Sequence, residues 1–223
     1  MTVLQILSLI GIDILLSGDN AVVIALAASK VPPQLRNRAI FGGTLMAIVL
    51  RIVAATVLIQ FLDLPFVQLV GGLILLRISY NLIAHKEEDD PNIKPSDKVW
   101  GAIKTIAIAD FAMSIDNVIA LSSVAEGILP IAIGIAISIP IIIFGSKLLT
   151  SLMERYPIIV YAGAGLLTYA AGKMMVEDKG LEKFHILIPD SLHLVVPIAM
   201  AIILVVAVFL KNNLAKEAKA TIL

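Results

Sequence analysis

Cysteine is absent from the chain, which removes disulfides, thiolate metal sites and thiol catalysis together. Charge is scarce: Asp, Glu, Lys and Arg make up 15% of the residues, where soluble domains carry about a quarter. The positive and negative charges cancel, so the chain has no excess positive charge to attract nucleic acid. Aromatic residues are few, at 5%, and no cluster of them accompanies the polar residues as a cage for an organic cation would. What fills the chain is apolar: 59% of it is hydrophobic. That balance excludes a soluble globular domain and indicates a membrane protein. The opening stretch MTVLQILSLIGIDILL has no basic segment and no small-residue cleavage site, so it reads as a retained helix and not as a signal peptide.

A helix needs roughly 20 mostly apolar residues to cross a bilayer. Seven stretches meet this, at 3–28, 38–60, 64–84, 101–124, 128–150, 156–175 and 193–210. Short connectors with Pro or Gly separate most of them, and two longer charged ones follow the third and sixth. Lys and Arg collect in the connectors after spans 1, 3 and 5 and in the C-terminal tail, whereas the other side holds only Lys173, Lys179 and Lys183. This asymmetry predicts an outside N-terminus and a cytoplasmic C-terminus.

Two stretches break the apolar pattern in the same way. A shift of 97 residues superposes Asp13 on Asp110, Ser17 on Ser114, Asp19 on Asp116 and Asn20 on Asn117. The pattern is D-x3-S-x-D-N, once in span 1 and once in span 4. Three spans per unit is odd, so the second unit enters the membrane the other way up, the inverted-repeat plan of many secondary transporters. The expected fold is therefore an all-α membrane protein of seven transmembrane helices, two inverted three-helix repeats plus one extra C-terminal helix, N-out and C-in. As a single polytopic domain, 1–223, it divides into repeat 1 (3–84), a cytoplasmic linker (85–99), repeat 2 (101–175), an outer loop (176–192), the extra helix (193–210) and a cytoplasmic tail (211–223).

An ionised Asp at the bilayer centre is unfavourable by roughly 2.5–3.5 kcal/mol, so four call for compensation on the order of 10–14 kcal/mol. Protonation, an Arg partner or a bound cation would each provide it. At the α-helical rotation, Asp13, Ser17 and Asn20 fall within about 60° of one another, while Asp19 points about 120° from Asp13. Convergence on one ion needs local unwinding, for which Ser17-Gly18 is a candidate place, or a meeting of Asp19 with Asp116 across the repeat interface. Ser17 and Ser114 serve equally well as hydroxyls that hold helices together. The donors are all hard oxygens, and the three histidines lie at span ends, which favours Mn, Ca or Mg over Cu or Zn. Arg51, near mid-depth in span 2, is a candidate gating counter-ion; Arg77, nearer a span end, could instead snorkel. The acidic stretch KEEDDPNIKPSDK reads as a solvated linker, and His185, Asp190 and His193 as interfacial loop residues. Gly71-Gly72 and Gly163-x-Gly165 read as close helix contacts.

With SGDNAVVIAL in span 1 and SIDNVIAL in span 4, the chain resembles the TerC family of integral membrane proteins, within the grouping that includes the LysE-type exporters. The resemblance covers essentially the whole chain. It implies export of Mn²⁺ from the cytoplasm across a bacterial cytoplasmic membrane, and an ion site formed by Asp13, Asp19, Asp110 and Asp116 with Asn20 and Asn117 beside them. Many relatives carry Glu where this sequence has Asp13 and Asp110, which changes the reach of the carboxylate.

The reading that follows is a divalent-cation exporter, not an enzyme, moving Mn²⁺ (with Ca²⁺ or Mg²⁺ as alternatives) in exchange for protons, with the lipid bilayer as its surroundings and no organic cofactor. A homo-oligomer is compatible with it. Competing readings are an exporter of a small organic cation or amino acid and a non-transporting factor that helps to metallate or assemble exported proteins. An intramembrane aspartyl protease is a further one, but its G-x-G-D segment is matched by neither LSGDN nor SIDN.

Overall fold

In a computed structural model, residues 18–58, 65–84, 94–122, 128–184 and 188–222 are described, and among them every regular element is helical. The helices are α1 (Gly18–Ser29), α2 (Arg36–Leu58), α3 (Val67–Ala84), α4 (Pro95–Ser122), α5 (Ile128–Arg155), α6 (Ile158–Val176), the short α7 (Lys179–Lys183) and α8 (Asp190–Ile222). Among the described residues three stretches are long and apolar enough to cross a membrane, Val67–Ala84, Ile158–Leu181 and Asp190–Leu214, and Gly18–Ser29 is a shorter apolar helix. Each of the seven expected spans contains helix in its described part.

Helix extends past two of the expected spans. The linker expected to run to residue 99 ends earlier, because α4 starts at Pro95 with Asp97 in its first turn. Proline suits the first helical position, where its missing N–H is not needed, and an acidic side chain there meets the positive end of the helix dipole. The C-terminal tail continues α8 as helix to Ile222. Its Ala, Lys, Glu and Leu are good helix formers, and it is tied down as it leaves the apolar stretch. Asn212 Nδ2 donates to Ile83 O (3.2 Å) and to the Tyr161 hydroxyl (3.1 Å), and Lys211 Nζ donates to the Tyr80 hydroxyl (3.0 Å).

α1 lies innermost. Residues Asn20, Ala21 and Val23 through Ala28 are all buried, as expected of a helix apolar on every side. It packs against α2, α4, α5 and α6. Elsewhere α2 packs on α4, α3 on α6, and α6 on α8. Glycines set these distances. A Cβ on Gly72 would stand 2.7 Å from Ala171 O, and one on Gly172 would stand 2.8 Å from Pro197 Cα, so α3, α6 and α8 approach backbone to backbone. Gly163 lies against Val22 of α1, and the adjacent Gly42 and Gly43 admit Ile103 and Ile106 of α4. On the outside, large apolar side chains are bare: Phe144, Ile158 and Ile203 are each exposed by two thirds or more (72%, 68% and 67%). Such a surface aggregates in water and is stable against hydrocarbon.

One end of α3 is held from far along the chain. Asp178, 2% exposed, accepts the backbone N–H of Phe66 (2.9 Å) and Gly180 (2.6 Å) on Oδ1 and that of Leu69 (2.9 Å) on Oδ2. The N–H groups at a helix start have no partner within the helix, and here one carboxylate satisfies them. Phe66, at φ 70°, adopts a backbone form rare for a bulky residue. Its ring stacks on Phe184 at 5.4 Å, so contacts on both sides hold it there.

Candidate functional site

Where α1, α2 and α4 meet, the polar residues of three helices come together. α2 presents Thr44, Ala47, Ile48 and Arg51 at helical spacing on one face, against the Asp110 turn of α4. Arg51 pairs with Asp110: its Nη2 donates to Asp110 Oδ1, and its Nε donates to Ser114 Oγ at 3.3 Å. Ser114 in turn donates to Asp110 O at 2.6 Å and has Asp110 Oδ2 within 3.4 Å. Arg51, Asp110 and Ser114 are all buried, at 3%, 7% and 0% exposure. In so apolar a setting a lone Arg or Asp would be strongly unfavourable, and each side chain offsets the other's desolvation.

Beside this pair lies a small cavity of about 20 Å³, lined on its polar side by Asn20, Thr44, Arg51 and Asp110 and otherwise by apolar side chains such as Ile24 and Ile142. That volume suits one water-sized particle. Asn20 is buried, and among the described residues neither its Nδ2 nor its Oδ1 has a hydrogen-bond partner; the buried Thr44 Oγ1 has none there either. Buried polar atoms are almost always paired, so three unpaired ones around one cavity mark it out. A larger cavity of about 440 Å³ opens between the ends of α1, α3 and α4. It carries Lys30, Asp97 and Lys98 but none of the D-x3-S-x-D-N residues.

The structure brings together Asn20, Arg51, Asp110 and Ser114 of the residues singled out from sequence. Asp19 is half-buried in α1, and its Oδ1 accepts the backbone N–H of Asn20 at 2.9 Å. Asp13 and Ser17 lie outside the described residues. Asp116 and Asn117 are on α4, which is unbroken helix through the motif to Ser122, and their side chains lie outside what is described. Arg77 is exposed on α3 and does not line the cavity. Asp190 is exposed and His193 half-buried on α8, while His185 lies outside the described residues. Among the described residues no group of three or more His, Asp or Glu side chains is clustered as metal ligands. Thr44 was missed by the sequence reading. The available signal was its position seven residues before Arg51, two helical turns away on the same face.

An all-helical chain with an apolar exterior, three helices fit to cross a bilayer and a buried ion pair inside is an integral membrane protein. It belongs to the integral membrane protein TerC family, whose pattern matches residues 1–220. Among similar proteins, the Bacillus subtilis membrane protein YjbE is 43% identical over 182 residues, covering 81% of this chain and 83% of YjbE. A second Bacillus subtilis membrane protein, YceF, is 25% identical over 223 residues, covering 96% of this chain and 85% of YceF. The Escherichia coli protein YegH is 28% identical over 194 residues, and the match takes in 78% of this chain but only 37% of YegH. No solved structure matches the chain.

Proposed function

We propose that the protein exports a divalent metal cation, Mn²⁺ in the first place, from the cytoplasm across the bacterial cytoplasmic membrane in exchange for protons. The observation that carries this reading is the Arg51–Asp110 pair beside a small cavity lined with unpaired Asn20 and Thr44 atoms. A carboxylate, an amide oxygen and a hydroxyl are hard donors, the kind that Mn²⁺, Ca²⁺ and Mg²⁺ prefer. In this scheme Arg51 serves as the protein's own counter-charge to Asp110. A cation arriving at Asp110 takes over that role, and Arg51 takes it back when the cation leaves. The small cavity favours a single dehydrated ion over an amino acid or organic cation.

The helix pairings support a duplicated architecture. α2 packs on α4 and α5 on α1, while α3 meets α6. These three pairings are unchanged when α1, α2 and α3 are exchanged for α4, α5 and α6, as expected of two interleaved inverted units with a site between them. On this plan Asp13, Asp19 and Asp116, with Asn117, complete the site from the two copies of the motif.

Mn²⁺ flux into proteoliposomes under a pH gradient tests the proposal. Wild-type protein should carry the ion, and Asp19→Asn, Asp110→Asn and Asp116→Asn should each abolish transport. Folded wild-type protein that moves no divalent ion would refute the exporter and leave a non-transporting membrane factor in its place.

A further inference from the structure

Thr44 stands apart from the other buried hydroxyls. Ser114 bonds to Asp110 O, Ser146 to Ile143 O, Thr150 to Ser146 O and Thr168 to Ala164 O, each on its own helix, and Ser79 bonds across to Ala164 O. A helical Ser or Thr needs no special neighbour to pair, since the carbonyl one turn back is always near. Thr44, 4% exposed, bonds to no such carbonyl and has no other partner for Oγ1. It lines the cavity that also holds Asn20, 2% exposed and unpaired at both side-chain polar atoms.

We infer that Thr44 is a contact residue for the transported ion: its Oγ1, with the Asn20 amide oxygen and the Asp110 carboxylate, supplies part of the oxygen shell around one small divalent cation in this cavity. The inference rests on the transport reading above and adds to it a neutral ligand from α2, a helix without the D-x3-S-x-D-N motif. Leaving an oxygen unpaired is unfavourable for folding, and a bound cation offsets that. A hydroxyl is a hard, uncharged donor, so Thr44 adds selectivity for oxygen-seeking ions without adding charge.

Mn²⁺ binding to the purified full chain in detergent, followed by loss of the free-ion paramagnetic resonance signal, tests this directly. Thr44→Val keeps shape and removes the oxygen; Thr44→Ser keeps the oxygen. We expect Thr44→Val to weaken binding by roughly 10-fold or more, as for loss of a contact to a charged group, and Thr44→Ser to restore it. Thr44→Val should at the same time melt no lower than wild type, because it loses no hydrogen bond, a result that a purely structural role would not give. Unchanged Mn²⁺ affinity in Thr44→Val overturns the inference, and so does wild-type protein that binds no Mn²⁺. Flux on the same preparations separates the two claims. Wild-type flux with Thr44-independent binding removes Thr44 from the site and keeps the exporter. Thr44-dependent binding without flux keeps the site and removes the exporter.

Discussion

Two buried polar clusters in this molecule use similar residue types and are left in opposite conditions. Between α3 and α6, Ser79 Oγ, Thr168 Oγ1 and Ala164 O stand 2.8 Å from one another, so each hydroxyl proton has an acceptor, with Gly72 drawing the helices into backbone contact. Where α1, α2 and α4 meet, Asn20 and Thr44 hold unpaired atoms around a cavity beside an ion pair. The first arrangement is what polar groups do when they hold helices together in hydrocarbon: each donor finds an acceptor and no space remains. The second forgoes hydrogen bonds and packing. Apolar side chains filling that cavity would pack better, so the arrangement is not the one that favours stability alone.

The sharpest challenge to this contrast is the ion pair. Arg51→Leu leaves the buried Asp110 carboxylate without its counter-charge and should destabilise the protein by roughly 3–5 kcal/mol, read from thermal unfolding in detergent. Adding Asp110→Asn should recover much of that stability and no Mn²⁺ flux. If the double variant were as unstable as the single one, Arg51 would be acting through packing and not through charge. A smaller effect is expected in the tight cluster. Ser79→Ala removes one hydroxyl while Thr168 keeps its bond to Ala164 O, so the loss should be about 1 kcal/mol with transport intact. An altered ion preference in Ser79→Ala would erase the distinction between the two regions. The smallest effect belongs to Arg77→Gln. Arg77 is exposed on α3, and its replacement should change stability by no more than about 0.5 kcal/mol and leave transport at the wild-type rate. A loss of flux there would bring α3 into the site.

Much of the fold was legible because bilayer physics imposes it. Long apolar runs can satisfy their backbone only as helices, so composition and connector residues placed the middle of each helix better than its ends. Pro95 and the helix-forming tail were under-read: Pro95 opens a helix that was expected to be linker, and the tail is ordered by its bonds to Ile83, Tyr161 and Tyr80, residues distant in sequence. Gly72 and Gly163 were recognisable as close-contact positions, but what they contact was not. The candidate site divides in the same way. Asp19, Asn20, Asp110 and Ser114 announced themselves as polar residues in apolar runs, and so did Arg51. Thr44 did not, since one threonine in an apolar helix is commonplace and gains meaning only from an unpaired oxygen and a neighbouring cavity.

The amino-acid sequence alone determined that this is an all-helical membrane protein, which residues burden its helices with charge, and to which family it belongs. These are properties of composition and local period, readable one helix at a time. Only the tertiary structure decided that Arg51 and not Arg77 meets Asp110, that α1 is the enclosed helix, and that Asn20 and Thr44 share a cavity while Ser79 and Thr168 share a hydrogen bond. Helical periodicity tells which residues share a face, but not which face meets which. That depends on close contacts between residues distant in sequence, where glycines and bulky side chains select one packing among many.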